Sequence, residues 1–93
     1  MPERISKRIL INRLKKIEGQ VRGIQRMIEE ERDCESLVVQ LAAIRSAVEG
    51  VGALLLNNYM QICFKKERPA DSEEVASLAR AIAIWGRIRA GEF

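Results

Sequence analysis

CESLVVQLAAIRSAVEGVGALLLNNYMQIC, residues 34–63, is the stretch on which the fold turns. Leu37, Leu41, Ile44, Val48, Val51, Leu55 and Ile62 repeat with the seven-residue period of a helix, and Val38, Ala42, Ala43, Ala47, Leu54 and Leu56 spread the apolar surface well beyond one face. Such a helix needs several packing partners. The remainder of the chain has room for only two more helices, so the stretch predicts a bundle built from more than one subunit. Gly50 and Gly52 each cost about 1 kcal/mol in a helix relative to alanine. They are read as points of close helix–helix approach; the alternative is a loop that folds the stretch into a hairpin.

Upstream, from Ile5 to Met27 and on to Ile28, apolar residues recur at Leu10, Leu14, Ile17, Val21, Ile24 and Ile28 in steps of four and three, which predicts an amphipathic first helix. Arg4, Arg8, Lys15, Arg22 and Arg26 fall within roughly 40° of one another on its wheel, nearly opposite the apolar stripe. An acidic run, Glu29 to Glu31, leads to Asp33, which is suited to cap the next helix. Downstream, Lys65-Lys66-Glu67-Arg68-Pro69 ends the long helix with cations and a proline. Asp71-Ser72-Glu73-Glu74 resembles a capping box. A third helix follows through Val75, Leu78, Ile82, Trp85 and Ile88 and ends between Gly86 and Gly91. With no strand pattern, the expectation is an all-α chain of three helices forming a single domain over residues 1–93.

Composition narrows the function. A chain of 93 residues has little core of its own, so oligomerisation is expected. Apolar residues at 47% and charged residues at 31% exclude wholesale disorder. The absence of an 18-residue uncharged apolar run and of a signal-peptide pattern points away from a membrane and toward the cytoplasm. The chain has no histidine, which excludes hydrolytic triads and histidine-based nickel, cobalt or zinc sites. Without Cys-x-x-Cys or a glycine-rich phosphate loop, an enzyme is not expected.

Cys34 and Cys63 are the chemically distinctive residues. In one unbroken helix, 29 residues at 1.5 Å each would hold them roughly 43 Å apart. Two copies of that helix packed antiparallel would instead set Cys34 of one chain against Cys63 of the other. Three readings stay open for them: buried small hydrophobes, soft ligands for an ion such as Cu(I), or a dithiol that exchanges with electrophilic sulfur, one thiolate attacking and the other resolving the product. Tyr59, one turn before Cys63, is a hard phenol and a poor ligand for a soft ion. Lys65 and Lys66 surround Cys63 with positive charge, whereas Asp33, Glu35 and the Glu29–Glu31 run oppose it beside Cys34.

NRLKKIEGQVRGI (residues 12–24), Asp33-Cys34, QLAAIRSA (residues 40–47) and NNYMQICF (residues 57–64) resemble the CsoR/RcnR family of bacterial repressors over almost the whole chain. That resemblance implies an antiparallel dimer assembling into a disc-shaped homotetramer, which binds double-stranded operator DNA without a helix-turn-helix. The family's copper sensors place a histidine four positions before their second cysteine, where this chain has Tyr59. The pattern is most like the CstR-type branch, in which the two cysteines sense persulfide or polysulfide through di- or polysulfide links between subunits and release the operator. On that reading Cys34 and Cys63 are the sensing thiols, Tyr59 lies near them, and no resident metal or other cofactor is implied. The alternatives are a Cu(I) sensor using the same two thiolates, and a formaldehyde sensor using Pro2 and Cys34.

Lys and Arg neutralise phosphates and release counterions, so a basic ridge repeated around an oligomer suits nucleic acid. By position, the resemblance implies DNA-binding roles for Arg13, Lys15, Lys16, Arg22, Arg45, Lys65 and Lys66.

Overall fold

A computed structural model describes residues 6–64, 69 and 71–87, in four helices: α1 (Lys7–Glu29), α2 (Cys34–Asn57), α3 (Tyr59–Cys63) and α4 (Ser72–Arg87). No strand occurs among the described residues. Contacts divide the described residues into two compact units, Ser6–Val51 and a second that begins at Gly52, so that α2 runs from one into the other.

The first unit is a helical hairpin. Ser6 caps α1 by accepting the Ile9 N–H on its hydroxyl. The far end of α1 closes as a Schellman motif: the Arg32 N–H reaches the Met27 carbonyl and the Glu31 N–H the Ile28 carbonyl, each at 3.0 Å. Glu31 sits there at φ 56°, a left-handed conformation in which glycine would be easier. Asp33 then caps α2 as its position predicts, its carboxylate accepting the backbone N–H of Ser36 at 2.9 Å and the Ser36 hydroxyl at 2.8 Å. Of the six apolar stripe positions predicted for α1, only Leu10, Ile17 and Ile24 are buried; Leu14, Val21 and Ile28 are exposed. The stripe is wider than one chain covers.

In the second unit the expected single long helix is interrupted. α2 passes through Gly50 and Gly52 without a break, against the hairpin alternative, but stops at Asn57. Asn58 leaves helical geometry (φ −121°, ψ 26°), and its side-chain Nδ2 donates to the Leu54 carbonyl at 2.8 Å. This is the usual competition of an asparagine amide with the helical backbone, and it makes α3 a separate turn, giving four described helices where three were expected. α4 begins with the predicted capping box: the Asp71 N–H donates to Glu74 Oε1 at 3.0 Å and the Glu74 N–H to Asp71 Oδ1 at 2.9 Å. The Trp85 indole of α4 packs against Gly52, so closely that a Cβ at that glycine would clash with three of its ring carbons.

α2 is the anomaly of the chain. It is long and apolar enough to cross a membrane, the only such helix among the described residues. Arg45 and Glu49 interrupt its middle, where charges are costly in hydrocarbon. None of its residues is buried, and Val38, Val39, Leu41 and Val48 stand open to solvent.

Candidate functional site

Cys34 is the first residue of α2, directly after the capping Asp33, and Cys63 is the last residue of α3; both are exposed, free thiols. They belong to different compact units. At 24 residues α2 alone is about 36 Å long. Beside Cys34, the Asp33 carboxyl is held below its ordinary value of 3.8, first by the Ser36 backbone N–H and then by the Ser36 hydroxyl, with a smaller contribution from Arg32. A fixed negative charge therefore stands next to this thiol at any pH near neutrality.

Tyr59 opens α3 and is tied into its own unit. Its hydroxyl shares a 3.0 Å hydrogen bond with Ser77 of α4, and its ring meets Phe64 edge-to-face at 5.8 Å. The phenol is thus occupied by packing. Ser77 is absent from the sequence reading, because a partner 18 positions away leaves no local signal.

The soft donors fit a soft ion by chemistry: two thiols suit Cu(I), whereas the Tyr59 oxygen is hard and already bonded. Among the described residues no three His, Cys, Asp or Glu side chains gather into a metal-binding group.

The cations are spread over several sides of α1 and over α2. Arg8, Lys15, Arg22 and Arg26 form an exposed ridge along α1, with Glu18 reaching Arg22 at 3.9 Å. Arg13 lies roughly 140° around the helix from Arg8, on the side of Leu10, Ile17 and Ile24. Its guanidinium stands 3.7 Å from where a Gly50 side chain would begin, and the residue as a whole is exposed. Lys16 is exposed on α1 between these two sides, and Arg45 is exposed on α2. Lys65, Lys66, Arg4 and Pro2 lie outside the described residues.

The model for the family of metal-sensitive transcriptional repressors matches residues 6–84. The chain belongs to that family. Its sequence is 41% identical over 69 residues to the copper-sensing transcriptional repressor CsoR of Bacillus subtilis (strain 168), a match spanning 73% of this chain and 68% of that protein. The fold is similar to the nickel-responsive transcriptional regulator InrS, with a TM-score of 0.75, 32% identity and coverage of 91% of this chain and 98% of the other. It is likewise similar to the copper-sensing repressor CsoR of Geobacillus thermodenitrificans NG80-2 solved with Cu(I), with a TM-score of 0.73, 37% identity and coverage of 92% and 94%. These relatives are transcriptional regulators named for metals. None of their names supports the persulfide branch that the cysteine–tyrosine pattern resembles, so the family stands and its sulfur-sensing subdivision does not follow from them.

Proposed function

We propose that this repressor holds double-stranded operator DNA with the exposed cations of α1 and Arg45, aided by Lys65 and Lys66, and that Cys34 of one copy and Cys63 of another form the sensor site whose occupation releases the DNA. The observation that carries the proposal is the pair of free, exposed thiols placed at the start of α2 and in α3 of a metal-sensitive repressor. Two antiparallel copies of α2 would bring these thiols together and cover the apolar face that one chain leaves open, and pairing of such dimers gives a tetramer. The same burial explains a helix apolar enough for a membrane in a cytoplasmic protein, where thiols rest reduced.

Cu(I) is the ligand that the relatives favour, since two of the similar proteins are named copper-sensing and two thiolates are soft donors. Ligand binding shifts DNA affinity only through a difference between the DNA-competent state and the released one. A second reading rests on Tyr59, which stands where copper sensors of this family carry a histidine. In it, one cysteine thiolate takes the outer sulfur of an organic persulfide and expels a thiolate. The other cysteine then attacks the new cysteine persulfide, expels hydrosulfide and leaves a disulfide between subunits.

Mobility shift of operator DNA with reduced protein, combined with mass spectrometry after separate exposure to Cu(I), organic persulfide and formaldehyde, decides among these. Release accompanied by bound copper and lost in Cys63→Ser supports the first reading. Release with a covalently linked dimer supports the second. Release by formaldehyde that survives Cys63→Ser assigns the sensor to Pro2 and Cys34, and retention of DNA under all three treatments overturns the thiol switch.

A further inference from the structure

We propose that Met60 is a third soft donor of the thiol site, completing with Cys63 and a second copy's Cys34 a Cu(I) site of two thiolates and one thioether. The inference rests on the copper reading above and concerns the ligand that Tyr59 does not supply.

α3 is a closed helical turn, with the Ile62 N–H on the Asn58 carbonyl at 2.9 Å and the Phe64 N–H on the Met60 carbonyl at 3.2 Å. Residues three and four apart therefore lie on one side of it. Met60 falls about 60° from Cys63 on one flank and Tyr59 about 40° on the other. Of these two neighbours, Tyr59 is committed, its hydroxyl to Ser77 and its ring to Phe64. Met60 is half-buried beside an exposed thiol, in a chain that has no histidine to offer.

The chemistry suits the place. A thioether is soft, neutral and never protonated in water, so it selects Cu(I) over harder ions and adds no proton competition. Methionine's unbranched, flexible side chain can turn its sulfur toward Cys63 without moving the helix. Met27, the other methionine among the described residues, lines a shallow cleft with Arg32, Asp33 and Ser36 that Cys34 does not line, and it serves as the control.

The test is anaerobic competition for Cu(I) between the reduced full-length protein and a chromophoric Cu(I) chelator, with copper X-ray absorption on the same samples. Met60→Leu, a near-isosteric change that cores tolerate, is expected to weaken Cu(I) binding about tenfold or more, the scale reached even by residues that only support a ligand. It should also convert three sulfur neighbours into two, while Met27→Leu changes neither. Unaltered affinity and coordination in Met60→Leu would overturn the role of Met60 and leave the copper reading standing, provided Cys63→Ser loses the ion. Wild-type protein that holds Cu(I) no better than a Cys34→Ser, Cys63→Ser double variant would overturn both. Selenium-edge absorption of selenomethionine-labelled Met27→Leu protein from which Met1 has been removed leaves Met60 as the one selenium position: a copper neighbour supports the proposal, and its absence from copper-loaded protein refutes it whether or not Met60→Leu folds.

Discussion

α1 and α2 are nearly equal in length, 23 and 24 residues, yet they handle apolar surface in opposite ways. α1 is the more polar helix and buries three apolar side chains, Leu10, Ile17 and Ile24, at heptad spacing; α2 is the more apolar helix and buries none. The difference teaches that apolar content and an internal core are separate matters. α1 closes the centre of its stripe within its own chain and leaves only the flanking Leu14, Val21 and Ile28 open. A helix apolar on several sides needs more neighbours than a chain of this length contains.

The sharpest way to break that comparison is to cut each helix separately. Ile17→Ala is expected to lower the unfolding free energy by about 2–4 kcal/mol, by the same amount at every protein concentration. Leu41→Glu should remove the concentration dependence of the melting temperature that a shared α2 face imposes. A wild-type melting temperature that stays constant across a hundredfold dilution series would show instead that α2 does not rely on a second copy.

The two glycines of α2 sharpen the contrast within one helix. Gly50 faces only the mobile end of Arg13, at an ordinary contact distance, so Gly50→Ala should stabilise the protein by up to about 1 kcal/mol through helix propensity. Gly52 lies under the Trp85 indole, and Gly52→Ala should displace it, costing about 1–3 kcal/mol. Tryptophan fluorescence checks this directly, since the chain has one tryptophan: its emission should move to the red in Gly52→Ala and stay put in Gly50→Ala.

Smaller effects are expected at the turn between α1 and α2. Glu31 adopts a left-handed backbone that glycine adopts without cost, so Glu31→Gly should gain about 1 kcal/mol in chemical denaturation. The least effect is that of pH on the cap of α2. Because the folded Asp33 carboxyl titrates below its unfolded value, its contribution is complete above 3.8 and is lost as pH falls through the lower folded value. Amide exchange at Ser36, compared with that at Ile9 under the Ser6 cap, should accelerate over that acid range once corrected for intrinsic rates.

Much of this was legible in the residues. The steps of four and three in α1, the Asp33 cap and the reciprocal Asp71–Glu74 box are local patterns whose partners lie within four positions, and each appears as its spacing implies. The break at Asn58 was present as the Asn57–Asn58 pair but is obscured by the apolar run before it; a side-chain amide that bonds its own backbone decides it. Ser77 as the partner of Tyr59, and Arg13 lying over Gly50, join residues far apart in sequence and have no local signature.

The sequence by itself determined that the chain is helical, that Asp33 and Asp71 cap two of its helices, that it resembles a family of bacterial repressors, and that its only soft donors are two cysteines and its methionines, because each of these depends on residue type or on spacing within one turn. Only the tertiary structure decided which apolar positions close inside the chain, which glycine carries an aromatic ring, and that the Tyr59 phenol is spent on Ser77. Burial and hydrogen bonding between distant segments depend on how helices meet, and residue type and spacing leave that meeting open.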